Sequence, residues 1–318
     1  MSVAFIFPGQ GSQSVGMLSS LAQRPEVAAL LRMADQVLAE PMSQLIEQGP
    51  AEELALTTNT QPAMLLAGLA CLAAWRTAGG FEPDFVAGHS LGEYTALTAA
   101  EALDPAAAVA LVRLRARAMQ EAVPLGVGAM AAVLGLTDEQ VALACHQART
   151  APDGSMEVVE PANYNAPAQV VIAGHKTAVD RACAAAKTLG AKRAVLLPVS
   201  APFHSSLLAP AGAQLQQALT EIELRWPRVP LVNNVDVAQA SDVAQIKDAL
   251  VRQAFGPVRW VELVRFLVAA GVDHFIEFGP GKVLSGLGRR IAPEARIDAV
   301  HDAASLELTL QQTRELRR

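Results

Sequence analysis

Aromatic residues are scarce: nine Phe, three Trp and two Tyr make up 4% of the 318 residues, which leaves a mainly aliphatic core. Cysteine is scarcer. Cys71, Cys145 and Cys183 lie far apart without a Cys-x-x-Cys spacing, so neither a zinc site nor a disulfide framework is suggested and buried, reduced thiols are expected. No block of Lys or Arg interrupts a net charge of −6, whereas nucleic-acid binding would leave one as its electrostatic footprint; nucleic acid is discounted as a partner. For an acidic protein partner the local basic patches are Lys192-Arg193 and Lys282 with Arg289-Arg290, each of which reads first as solvated surface charge. Long apolar runs are also lacking. Ala63 to Trp75 falls short of the ~20 residues that span a bilayer. The amino-terminal run Val3 to Phe7 has no basic leader and stops at Pro8, so it is a strand and not a signal peptide. No membrane, no metal and a cytoplasmic location are therefore expected.

What is present is an ordinary globular composition, 52% hydrophobic and 18% charged, long enough for one large unit or two intimate ones. Strand-like and helical runs alternate: Val3 to Phe7, Val27 to Leu38, Pro62 to Trp75, Asp84 to Ala87, then helices at Leu91 to Ala102 and Pro105 to Glu121. A glycine- and proline-punctuated break at Pro124 to Gly128 follows. Beyond it the order is strand (Ala129 to Leu134), helix (Asp138 to Arg149), strands (Glu157 to Asn163, Gln169 to Ala173), helix (Ala178 to Leu189) and strand (Arg193 to Val199). This βαββαβ series is the ferredoxin-like signature. The fold expected is α/β: a large α/β-hydrolase-like subdomain with a mostly parallel sheet, formed by residues 1–126 and 200–318, and an inserted ferredoxin-like subdomain at 127–199. Alternation resumes after the insertion with strands at Val229 to Asn233 and His274 to Phe278.

Gly88-His89-Ser90-Leu91-Gly92 joins the strand ending at Ala87 to a helical run, which places Ser90 on a strand-to-helix turn. Glycines two before and two after the serine remove side chains that would clash in a sharp turn, and the helix start aims backbone N–H groups, that of Leu91 first, at a developing oxyanion. The same letters also fit a helix cap, Ser90 with Glu93 as a capping box. A nucleophilic serine needs a base. Of six histidines, His204 sits in the proline-bounded loop Pro198 to His204 and is preferred; His89 competes but points to the opposite face from Ser90, and any one histidine can be structural. Pro8-Gly9-Gln10-Gly11-Ser12-Gln13 follows the first strand; lacking both Gly-x-Gly-x-x-Gly and a P-loop Lys, it reads better as the source of a second oxyanion donor, Gln10 N–H, than as a phosphate cradle.

Taken together, Phe7 to Gln13, Gly88-His89-Ser90-Leu91-Gly92-Glu93-Tyr94, Asn233-Asn234-Val235-Asp236 and Gly279-Pro280-Gly281 resemble, in order and over essentially the whole chain, the malonyl-CoA:acyl carrier protein transacylase family of fatty-acid synthesis. The resemblance implies Ser90 as nucleophile, His204 as base, Gln10 and Leu91 as oxyanion donors, Arg115 as the ligand of the malonyl carboxylate and the main-chain carbonyl of Gln253 as the group that orients the histidine. Spacing alone does not choose among Arg113, Arg115 and Arg117. The implied reaction is ping-pong: malonyl-CoA acylates Ser90, CoA leaves, and the phosphopantetheine thiol of acyl carrier protein takes the malonyl group. Malonyl-CoA is a substrate, and no cofactor is implied. Ala-Pro-Phe-His is similar to the segment of malonyl-selective acyltransferase domains in polyketide synthases, which implies that Phe203 crowds an α-methyl group. Competing readings are a serine esterase or thioesterase on the same turn, a non-catalytic carrier-docking module, and an acyltransferase of polyketide or malonate decarboxylase systems.

Overall fold

The computed structural model describes residues 2–316. The chain begins with β1 (Ser2–Phe7), helices α1 (Pro25–Leu38), α2 (Met42–Gln48), α3 (Ala51–Leu54) and α4 (Thr57–Thr77), then β2 (Phe85–Gly88), α5 (Gly92–Ala99) and α6 (Pro105–Glu121). β3 (Gly128–Leu134), α7 (Asp138–Ala148), β4 (Val159–Ala166), β5 (Gln169–His175), α8 (Lys176–Thr188) and β6 (Arg193–Leu196) follow. The chain closes with α9 (Ala209–Glu221), α10 (Val243–Gln253), α11 (Trp260–Ala269), β7 (Val272–Phe278), α12 (Val283–Ile291), β8 (Arg296–Val300) and α13 (Ala303–Leu316).

Local chemistry sets several of these boundaries. Asp104 accepts from the N–H groups of Ala106 and Ala107 with Pro105 in the first turn of α6, and Thr137 with Gln140 forms a capping box on α7. The buried Glu277 carboxyl, at the end of β7, accepts from the Leu284 and Ser285 N–H groups and so satisfies buried donors of the first turn of α12.

Two sheets result. One is wholly parallel in the order β2-β1-β7-β8; the other is antiparallel in the order β4-β5-β3-β6, the strand arrangement of a ferredoxin-like βαββαβ unit. The strand expected at Val229 to Asn233 does not form. Only Leu231 bridges Val86, because Pro230 has no N–H to extend a ladder and the chain turns away after Val232. The few aromatics are concentrated rather than dispersed. Phe5, Phe278, Trp75 and Phe81 pack edge-on or tilted at centroid distances of 4.6–6.1 Å between β1, β7 and α4. α4 supplies the long apolar run and is buried along most of its length, and no helix among the described residues is long and apolar enough to cross a membrane. All three cysteines are free and buried, and burial pushes the thiols of Cys71 and Cys145 up to about 12.

The parallel register fixes where chemistry is placed. Phe7 pairs with Gly88, so the loops that begin at Pro8 and His89 leave the carboxyl edge of the sheet side by side. A Cβ on Gly92 would lie 2.0 Å from Phe7 O and one on Gly88 1.9 Å from Gly92, which leaves glycine alone at both positions. Gly92→Ala is accordingly expected to destabilise by about 3 kcal/mol or more. Gly286→Ala, at an exposed α12 position with nothing within 4 Å of the added methyl, is expected to stabilise by ~0.5–1 kcal/mol. Denaturant midpoints of the two variants test the contrast, and a wild-type midpoint for Gly92→Ala contradicts the close approach.

Candidate active site

The close approach of β2 and α5 leaves Ser90 with a left-handed backbone, φ 53°, which lifts its side chain clear of the turn. Ser90 Oγ donates to His204 Nε2 at 2.7 Å. His204, also left-handed at φ 62°, donates from Nδ1 to the main-chain carbonyls of Gln253 (2.9 Å) and Gly256 (3.2 Å). These two bonds set the tautomer that leaves Nε2 free to take the serine proton, with no carboxylate behind the ring. The capping alternative fails, because α5 has no side-chain cap and both Ser90 and Glu93 bond elsewhere. His89 does not meet Ser90; its Nε2 bonds Asn165 Oδ1 at 2.8 Å and its ring faces Trp260.

Arg115 reaches the same point from α6. Its Nη2 donates to Ser90 Oγ (3.1 Å) and to Gln253 Oε1 (2.8 Å), and its Nη1 donates to Gln61 Oε1 (2.7 Å). The side chain is 1% exposed, lies 5.2 Å over the Tyr94 ring, and has no carboxylate within ion-pair distance among the described residues. Geometry thus makes the choice that spacing left open: Arg113 pairs with Glu40 at 2.7 Å, and Arg117 is more than half exposed.

A second layer of hydrogen bonds fixes these groups. Asn234 Oδ1 accepts from Ser90 N–H at 2.7 Å while its Nδ2 donates to Gly88 O. Gln253 Nε2 donates to Ser90 O and to Glu93 Oε2, which also accepts from Asn234 N–H. Glu93 is buried, and burial raises its carboxyl to about 7. The sequence alone did not reveal Gln61, Asn165 or the role of Asn234. Asparagines at 163 and 165 inside a strand, where that residue is disfavoured, were the available sign.

Neither Leu91 N–H nor Gln10 N–H donates to another described residue, whereas the next N–H groups of the turn are taken by His89 O, Ser90 O and Leu91 O. The loop carrying Gln10 lies against the turn: a Cβ on Gly9 would sit 2.7 Å from His89 O. A cavity of about 200 Å3 opens between the two sheets, lined by Gln10, Ser90, Arg115, Asn165, Phe203 and His204 among others. Leu91 and Gln253 do not line it; Gln253 bears on it through its bonds to Arg115 and His204.

Burial, reinforced by the Arg115 charge, lowers His204 from its ordinary 6.5 to about 3, so the imidazole is neutral and basic in function throughout the neutral range. A neutral histidine bonded to a serine on a sharp strand-to-helix turn, with a buried cation beside them, defines a serine-nucleophile acyl-transfer enzyme. The chain belongs to the acyl transferase domain family, which matches residues 4–306, and within it to the malonyl CoA-acyl carrier protein transacylases. It is 49% identical to the malonyl CoA-acyl carrier protein transacylase of Salmonella typhimurium, over 97% of this chain and 99% of that protein. Among solved structures, it is similar to the acyl-carrier-protein S-malonyltransferase of Burkholderia pseudomallei (56% identity, TM-score 0.94, 98% and 100% of the two chains). It is also similar to a malonyl-transacylase solved with a type II PKS acyl-carrier protein (46%, TM-score 0.94, 98% and 100%).

The depressed His204 gives a pH expectation with a definite sign. The base stays deprotonated as pH falls from 8 to 5, where an ordinary histidine of about 6.5 would be mostly protonated. Labelling of Ser90 by a fluorophosphonate is expected to keep its rate within about twofold over that range. A loss centred near pH 6.5 in both the wild type and Glu93→Gln, whose amide cannot titrate, contradicts the assignment.

Proposed function

We propose that this chain transfers the malonyl group of malonyl-CoA, through an ester on Ser90, to the phosphopantetheine thiol of acyl carrier protein for fatty-acid synthesis. The observation that carries the reading is the convergence on Ser90 Oγ of a neutral base at 2.7 Å and an unpaired buried guanidinium at 3.1 Å. A buried cation without a carboxylate partner is costly, and an acyl chain that ends in a carboxylate supplies the missing anion beside the nucleophile.

His204 Nε2 takes the hydroxyl proton as Oγ attacks the thioester carbonyl. The N–H groups of Leu91 and Gln10 receive the developing oxyanion, the first aided by the start of α5. As the tetrahedral intermediate collapses, the C–S bond breaks and His204 returns its proton to the CoA sulfur. The carrier thiol then gives its proton to His204 and attacks the Ser90 ester, and Ser90 recovers the proton as it leaves. These steps use the chain's own groups and call for no metal or organic cofactor. A groove of about 960 Å3, lined by Gln10, Leu56, Leu125, Leu197 and Val199 among others, opens beside the Ser90 cavity and suits the pantetheine arm that CoA and the carrier share. Reduced, buried thiols fit a cytoplasmic location.

Ser90→Ala is expected to abolish both transfer and the malonyl adduct seen by mass spectrometry of the trapped enzyme; an adduct retained by that variant refutes the ester. Arg115→Ala is expected to lower kcat/KM for malonyl-CoA roughly a hundredfold or more, with a much smaller effect on acetyl-CoA. Equal losses on the two substrates contradict the carboxylate role.

Phe203 lines the cavity immediately before the base. Its bulk is expected to favour malonyl- over methylmalonyl-CoA by ~1–3 kcal/mol, roughly 10- to 200-fold in kcat/KM. Phe203→Ala should narrow that ratio, and equal specificity constants in the wild type overturn the assignment.

A further inference from the structure

A second cavity, of about 190 Å3, lies on the far side of the Ser90 turn and shares no lining residue with the Ser90 pocket. Its apolar walls are Trp226, Pro227, Pro230, Leu231, Ile246 and Ala249; Arg228, Asn233 and Gln239 add polar lining, with Arg228 paired to Glu101 and the Asn233 amide already bonded within its own loop. At one side stands Glu93, only 1% exposed. Glu93 Oε2 is fully engaged, accepting from Asn234 N–H at 3.0 Å and Gln253 Nε2 at 2.9 Å, while Oε1 accepts from no described residue. The rim carries Trp226 with 55% of its surface in solvent, an arrangement that costs hydrophobic free energy unless something covers the ring.

A mainly apolar chamber with a few polar groups, one of them a buried acceptor left without a partner, is the usual composition of a small-molecule site. The acceptor calls for a donor, and the proline and tryptophan walls call for a flat apolar body. A charged amine would have to be desolvated with only one oxygen to meet it, so a neutral hydroxyl or ring N–H suits the chamber better.

What makes the site consequential is the other oxygen. Asn234, whose N–H bonds Glu93, holds the Ser90 N–H through Oδ1; Gln253, whose side chain bonds Glu93, holds His204 by its carbonyl and Arg115 by Oε1. Displacement of Glu93 therefore moves the supports of the nucleophile, the base and the cation together.

We infer that this chamber is a binding site for a small neutral aromatic molecule bearing one hydroxyl or N–H donor, which bonds Glu93 Oε1, and that its occupancy changes the reactivity of Ser90. Glu93 acts as a positioning residue that connects the two pockets.

The probe is 4-methylphenol, titrated into the full-length chain with methyl-labelled Ile and Leu. Saturable shifts of the Ile246 and Leu231 methyls are expected. At saturation, Ser90 labelling by a fluorophosphonate, a readout that does not depend on the natural acyl donor, is expected to change at least about fivefold, the low end of ordinary coupling between sites. Ala240→Trp fills the half-exposed rim and Ala249→Phe fills the interior. Either variant, once shown folded by its methyl spectrum, should lose the response to 4-methylphenol, read as the ratio of its labelling rates with and without the phenol. Absence of saturable shifts overturns the site, shifts without a change in labelling overturn the coupling, and a response that persists in both filled variants places the effect in the Ser90 pocket and overturns both.

Discussion

The contact between the start of α5 and the ends of β1 and β2 is the constraint on which the rest of the site depends. Gly92 lies so near Phe7 O, and Gly88 so near Gly92, that a methyl on either would stand about 2 Å from backbone atoms. The chain can make that approach only by turning through a left-handed residue, and that residue is Ser90. Backbone strain of this kind costs ~1–3 kcal/mol and persists where surrounding bonds over-determine it. Here Asn234 ties Gly88 O to Ser90 N–H and Gln253 ties down Ser90 O. The Ser90 hydroxyl held toward His204 and Arg115, and the Leu91 N–H that no described residue takes, are consequences of the same turn.

Charge arrangement follows from burial. A catalytic base must be neutral before the reaction and accept a proton during it, and the His204 ring is kept neutral by desolvation and by the nearby Arg115. A carboxylate behind the imidazole would oppose that effect and would also pair with Arg115. The main-chain carbonyls of Gln253 and Gly256 orient the ring with dipoles instead. Arg115 thereby keeps its charge for a ligand, steadied by the side-chain oxygens of Gln61 and Gln253 and by the Tyr94 face.

Much of this was legible in the sequence because it depends on local chemistry. The strand-turn-helix with its paired glycines, the βαββαβ order and the first strand with its glycine loop are all patterns of neighbouring residues. Choices among equivalent residues were not legible. Arg113, Arg115 and Arg117 lie on one helix, and only the packing of α6 against α4 decides that Arg115 turns inward to Gln61 while Arg113 turns to Glu40. The segment Val229 to Asn233 has strand composition, yet its pairing depends on the distant Val86 and is limited by Pro230 to a single bridge. Glu93 was read as a cap from its spacing to Ser90, but its partners are 141 and 160 positions away in sequence.

Gln253 shows how far the site is shared rather than assembled from separate contributions. Its carbonyl orients the base, its amide oxygen holds the cation, and its amide nitrogen joins the Ser90 turn to Glu93. Three functions on one buried residue at the end of α10 mean that none can be adjusted alone. A shift that lengthens the bond to His204 also moves the guanidinium and the turn. Such networks reward complete satisfaction and are costly when one member is lost. Glu93, which bonds neither Ser90 Oγ nor His204, is tied into the same network through Oε2 and also lines the chamber behind the turn.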